Sequence, residues 1–166
     1  RPEHEPAREK FMYDTIRGNL DRQAKGLNLL GQLLDEEFSL LMDRRTDEIM
    51  SLEFSIHELV RQLADEKLHI RQALGGGRVL DYAAMQTDEG RRAELRELWQ
   101  QIDDCEQHCS RQASLNAELS LALLDQSKNV LTYLHKRIQP QTASTYGRSG
   151  DFLHKRPDAA LISGRL

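Results

Sequence analysis

The sequence has little of what interrupts a long helix. Only four of its 166 residues are proline. Pro2, Pro6 and Pro157 stand near the two ends, and Pro140 follows the last helical pattern. Because proline breaks helix interiors, a proline-free middle favours long helices. Aromatic residues make up 5% of the chain, so leucine, alanine, isoleucine and methionine must fill the core, as is typical of helix-on-helix packing.

Long apolar runs and a strong excess of one charge are also absent. No stretch approaches the roughly 20 apolar residues of a membrane span, and the charged N-terminal residues do not resemble a secretory signal. The net charge of −4 is mixed along the chain and lacks the basic stripe of a nucleic-acid-binding surface. Cys105 and Cys109 could form a disulfide only across one helical turn, and free thiols are the simpler interpretation. We expect a cytoplasmic protein that neither enters a membrane nor binds nucleic acid.

Apolar residues recur at helical spacing in three long segments. The predicted helices cover about residues 14–44, 46–74, 78–86 and 88–138. The glycine triplet at 75–77 ends the second helix and allows the chain to reverse. The sequence therefore predicts an all-α fold, in which residues 14–138 form an antiparallel bundle of three long helices plus a short helix.

The two ends of the chain lack this helical pattern. Residues 1–13 are polar and contain two prolines, so we predict a disordered N-terminal arm. Residues 139–166 are rich in serine, threonine, glycine and basic groups, which predicts a flexible, disordered C-terminal tail.

No pattern indicates catalysis, and we assign no catalytic residue, cofactor or metal. The glycine triplet lacks the preceding strand and the following Lys-Ser/Thr of a phosphate loop. Cys105, His108 and Cys109 share a helix face and could offer zinc three ligands, but both thiols also continue the apolar stripe, so we favour packing. The acidic run 35–37 is interpreted as ordinary charge on a helix surface.

The last predicted helix has two features that a simple core stripe does not explain. Gln112, Asn116 and Gln126 interrupt its apolar seam, which fits either the specification of register or a partly open groove for another helix. A second apolar stripe appears only in the C-terminal half, at Leu121, Leu124, Leu131, Leu134 and Ile138, beside Leu119, Leu123 and Val130. A surface helix normally avoids so wide an apolar face. Burial between two helices, homodimerisation and a docking face for a partner all fit this stripe.

Three stretches of the sequence carry a family resemblance. The first is 33–38, followed by Leu41 and a polar break at 44–46. The second combines Trp99 and Cys105 with 116–119 and the leucines that follow, and the third is Thr145-Tyr146-Gly147-Arg148-Ser149-Gly150, which is similar to a Tyr-Gly-x-x-Gly signature. Together they resemble the FlgN family, cytosolic export chaperones for the hook-associated (hook–filament junction) proteins of the bacterial flagellum, over most of residues 14–150. The family often has Asn-Gly where this chain has Asn116-Ala117.

The resemblance implies a function and assigns residues to it. A chaperone of this kind would cover the apolar helix of a hook-associated protein before assembly, with a client-binding face at Leu119, Leu121, Leu124, Leu131, Leu134 and Ile138. Tyr146, Gly147 and Gly150 in the tail would dock to the flagellar type III export apparatus. The alternative is a coiled-coil structural protein that self-assembles through the same face, and a metal- or redox-sensing regulator that uses Cys105, His108 and Cys109 is a third. A homodimer is compatible with the first two.

Overall fold

The computed structural model describes residues 5–138, and within them the only regular structure is α-helical. The helices are α1 (Glu5–Met42), α2 (Thr46–Ala73), α3 (Val79–Met85) and α4 (Glu89–Ile138). The predicted all-α class, with three long helices and a short one before the last, is confirmed. The predicted tail at 139–166 lies outside the described residues.

The N-terminal boundary of the bundle was predicted wrongly. Helix α1 begins at Glu5 rather than near residue 14, so residues 5–13 are not a disordered arm. Tyr13 is only 4% exposed, and its hydroxyl donates a 2.6 Å hydrogen bond to Glu94 of α4. Burial and the Glu94 carboxylate raise the pKa of Tyr13 to about 12, which keeps this donor protonated. Pro6 stands in the first turn, where no intrahelical bond requires its missing N–H.

The connection after α2 is made by the glycine triplet, as predicted. Gly75 and Gly76 have φ values of 59° and 85°, in the left-handed region that favours glycine. Their amides donate to the carbonyl oxygens of Gln72 and Arg71, at 3.0 and 2.9 Å, and so pair carbonyl groups that the end of the helix leaves open. The chain reverses there and enters α3.

Contacts between α1 and α2 show that the two helices form an antiparallel hairpin. Asn19 donates to the backbone oxygen of Glu66 at 2.8 Å, and Arg22 pairs with the Glu66 carboxylate through two nitrogens. Further along α1, Glu37 lies close enough to Glu53 for that carboxyl to raise its pKa. Residue numbers rise along α1 while those of its partners fall, so the helices run in opposite directions.

Contacts between α1 and α4 show that these helices run parallel. Cys109 donates to the backbone oxygen of Leu27 at 3.4 Å, and Asn116 donates to that of Leu34 at 2.8 Å. The residue numbers of the paired positions rise together along both helices, and the difference between them is the same in the two pairs. Helix α4 is thus parallel to α1 and antiparallel to α2, which is the predicted bundle arrangement.

The core follows a seven-residue repeat on each long helix. Apolar positions that recur every seven residues form the seam of left-handed helix packing. The buried positions that follow this repeat are Tyr13, Leu20, Leu27, Leu34 and Leu41 on α1, Ile56, Leu63 and Ile70 on α2, and Leu95, Ile102 and Cys109 on α4. The two thiol positions behave as predicted from the stripe, with Cys109 buried and Cys105 partly buried.

Candidate partner-binding face

The last buried residue of α4 is polar. Asn116 is 4% exposed and continues the seven-residue repeat of this helix. Its side-chain amide donates to the Leu34 backbone oxygen at 2.8 Å and to the Glu37 carboxylate at 2.6 Å, while Gln112 donates to its carbonyl oxygen at 3.0 Å. A shift of α4 along α1 would leave this amide buried without partners, which is costly. For Asn116, the structure therefore favours the specification of register over an open groove.

Glu37 was wrongly interpreted from the sequence as a surface charge. Glu37 is only 9% exposed, because position 37 faces α4 and the α2 residues Glu53 and His57. Burial raises the pKa of the Glu37 carboxyl, and the Glu53 carboxyl raises it further, whereas the hydrogen bond from Asn116 and the charge of His57 act in the opposite direction. The signal in the sequence was its spacing, three residues after Leu34 and four before Leu41, both of which are buried.

Glu37→Gln is expected to raise the free energy of unfolding at pH 7 by about 1 kcal/mol, because it removes a charge that burial disfavours. Since the folded-state pKa of Glu37 is raised, the wild-type penalty is absent below the unfolded pKa of about 4.3 and grows as pH rises through the folded pKa. The two proteins should therefore be equally stable near pH 4. Urea unfolding at both pH values measures this difference.

The matched control for that experiment is Glu36→Gln, which makes the same change at a neighbouring exposed position. Its effect should stay within about 0.5 kcal/mol at either pH. A Glu37→Gln protein that is less stable than wild type at pH 7 would show that the ionised carboxylate, and not its neutral form, stabilises this contact.

Beyond Asn116, the side chains of α4 become exposed near the point where α1 ends. If the two helices continue side by side from the contact between Leu34 and Asn116, the last residue of α1, Met42, lies level with Leu124. Leu121 and Leu124 are 63% and 50% exposed. The predicted site residue Leu119 is partly buried, so it lies at the border of the covered region.

The internal contacts of the chain divide it after Asp125, and the described part of the second unit is the end of α4, residues 126–138. Every side chain in this segment is exposed. Its large apolar residues are between 45% and 68% exposed: Val130, Leu131, Tyr133, Leu134 and Ile138. Val130, Leu134 and Ile138 are four residues apart and so share one side of the helix. We call Val130, Leu131, Leu134 and Ile138 the terminal apolar face.

Leu121 differs from the other predicted site residues in its helical position. The residues four and seven places after it are Asp125 and Lys128, which share its side of α4. Leu124, by contrast, is followed at these spacings by Lys128 and Leu131. The structure therefore leaves the predicted leucines exposed but does not give all of them one common face.

Of the other chemical candidates, Cys109 is buried in the bundle, Cys105 is partly buried and His108 is exposed. The Cys109 thiol is buried against Leu27, and burial raises its pKa. The thiolate form, which binds metals and reacts as a nucleophile, is therefore disfavoured. The His108 side chain is directed to Asp35, with 3.4 Å between Nε2 and Oδ1. Within residues 5–138, no group of three or more His, Cys, Asp and Glu side chains is arranged to hold a metal ion.

The residues predicted to dock to the export apparatus belong to the C-terminal tail. Tyr146, Gly147 and Gly150 lie outside the part of the chain that the structure describes, which ends at residue 138. None of the helices in the described range has an apolar stretch long enough to cross a membrane.

The fold and the exposed leucines define a helical-bundle protein whose last helix presents an exposed apolar surface. A family model described as FlgN protein matches residues 12–152. The chain therefore belongs to the FlgN family, the flagellar export chaperones. No significant match was found among curated proteins or among solved structures.

Proposed function

We propose that the protein is a cytosolic, non-enzymatic export chaperone that binds flagellar hook-associated proteins and delivers them to the type III export apparatus. The observation that carries this proposal is the exposed terminal apolar face of α4 in a member of a family of flagellar export chaperones. A polypeptide that must remain unassembled until export needs its own apolar helix covered, and α4 offers the complementary surface.

The physical basis is the recognition of one amphipathic helix by another. Burial of apolar surface contributes about 25 cal/mol per Å², and leucines spaced three and four residues apart can interdigitate with the same pattern on a client helix. A client bound in this way would keep the residues that it later uses for assembly away from other copies of itself. Release would then expose them again at the assembly site.

The client-binding face is proposed to include the six residues that the sequence indicated. Leu124, Leu131, Leu134 and Ile138 are exposed and would form its centre. Leu119, which is partly buried, would contribute at one end of the face, and Leu121 would contact the client from the side of the helix. Tyr146, Gly147 and Gly150 are proposed to dock to the export apparatus, with Tyr146 as an aromatic anchor.

The paired substitution Leu124→Asp with Leu131→Asp should abolish a complex with the C-terminal segment of a hook-associated protein. Each substitution puts a charge where apolar contacts are proposed, and together they should weaken binding at least about 100-fold. Size-exclusion chromatography with light scattering, on the chain alone and mixed with the segment, measures the complex directly. Wild type should give a defined heterocomplex.

The matched control carries Met50→Asp and Leu68→Asp, two exposed apolar positions on α2. This variant should bind the segment like wild type. The alternative function, a self-assembling coiled-coil scaffold, predicts that the chain alone forms large homo-oligomers and no heterocomplex. That result would reject the chaperone proposal.

A further inference from the structure

The last thirteen residues of α4 carry charge of one sign only. Residues 126–138 contain Lys128, Lys136 and Arg137 and neither aspartate nor glutamate, although the whole chain is acidic. Basic residues in a last turn interact favourably with the helix dipole, which accounts for Lys136 and Arg137. It does not account for Lys128, which lies nearly three turns before the end of the helix.

Two of the three cations lie at the edges of the terminal apolar face. At about 100° per residue, Lys128 follows Leu131 around the helix on one side of this face. Arg137 lies on the other side, where its guanidinium group sits 5.1 Å from the centre of the Tyr133 ring. Among the described residues, no salt bridge joins Lys128 to a carboxylate. The face is therefore apolar in its centre and basic at both edges.

We infer that the occupant of the terminal apolar face is an amphipathic helix whose apolar stripe is flanked by aspartate and glutamate. This inference rests on the proposed function and specifies the chemistry of the client segment. A helix of this kind would bury its leucines against Val130, Leu134 and Ile138 and place carboxylates near Lys128 and Arg137. Such edge pairs contribute modest affinity but discriminate strongly between partners, because like charges in the same places repel.

Charge also argues against the two occupants that the chain itself supplies. The segment that follows, 139–166, contains four arginine or lysine residues and two aspartates, so it would bring net positive charge to a basic edge. A second copy that packed through the same face would use the same residues on both sides. Whether the two helices ran parallel or antiparallel, cations would meet cations, because residues 126–138 contain no acid.

Two designed helical peptides provide the test. They have the same leucine face, but one is flanked by glutamate and the other by lysine, and each carries a fluorescent label for anisotropy titration with the full chain. The glutamate-flanked peptide should bind about three- to tenfold more tightly at low salt, as expected for two exposed ion pairs. The preference should shrink as salt is added. In the Lys128→Glu, Arg137→Glu variant it should be lost or reversed.

The outcomes separate this inference from the proposed function. Equal affinity for the two peptides, or a preference for lysine flanks, would overturn the inference, while a heterocomplex with the hook-associated segment would still support the chaperone proposal. Binding of neither peptide would overturn the inference as well. Acid-selective peptide binding without any heterocomplex would support the inference and reject the hook-associated proteins as clients. A homo-oligomer that the Leu124→Asp, Leu131→Asp variant disrupts would identify a second copy as the occupant and overturn the inference.

Discussion

Leu95→Ala is expected to lower the free energy of unfolding by about 3 kcal/mol, the typical cost of leucine truncation in a closed core. Leu95 is 0% exposed, and it lies in the first part of α4, close to the Glu94 carboxylate that accepts the hydrogen bond from Tyr13. Tyr13, Ile16 and Leu95 belong to the same core cluster, so the substitution would leave a cavity in the packed core. Chemical denaturation followed by far-UV circular dichroism measures the change.

Leu115→Ala is the matched control for this substitution. It removes the same atoms from the same helix, but Leu115 is 50% exposed, so its effect should stay within about 0.5 kcal/mol. The difference between the two variants then measures the burial of Leu95 rather than the helix propensity of alanine. Equal losses would mean that the start of α4 is not packed as described.

Asn116→Asp should lower the free energy of unfolding by about 3 kcal/mol at pH 7. The new carboxylate would replace the amide that donates to Leu34 and Glu37, and would stand beside the Glu37 carboxylate in a buried position. Like charges at this distance raise the pKa of the new group in the folded state. Its destabilising effect should therefore be full above that pKa and should diminish as pH falls towards the unfolded value of about 3.9.

The control for this prediction is Asn129→Asp, at an exposed position further along α4. It makes the same chemical change with no buried partner, and its effect should remain within about 0.5 kcal/mol at pH 4 and at pH 7. A loss for Asn116→Asp that is equally large at both pH values would show that packing, and not charge, dominates at this site. Urea unfolding at the two pH values distinguishes these results.

Asn116 also shows how far the sequence could lead. Its place in an apolar seam was visible, and so was the interpretation that it specifies register. The partner that makes this contact specific, Glu37, was missed because an acidic run on a helix normally faces water. The spacing of Glu37 between Leu34 and Leu41 hinted at burial, but only the positions of α2 and α4, which bring Glu53, His57 and Asn116 to this acid, establish it.

The prediction of where α1 begins was wrong for a related reason. Residues 1–13 contain two prolines and many charged residues, and local composition therefore favoured disorder. Their helix is held by contacts distant in sequence, since Tyr13 and Arg17 both bind Glu94. Helix formation that depends on tertiary contacts leaves little trace in local composition.

The sequence by itself determined the class of the fold, the number and order of the helices, the reversal at the glycine triplet and the family resemblance. Each of these depends on residues that are near one another in the chain, through helical periodicity and backbone freedom. The tertiary structure decided which polar residues are buried and which leucines remain uncovered. Exposure of Leu124 and burial of Glu37 both depend on where another helix ends or passes, and that information is distributed over residues far apart in the sequence.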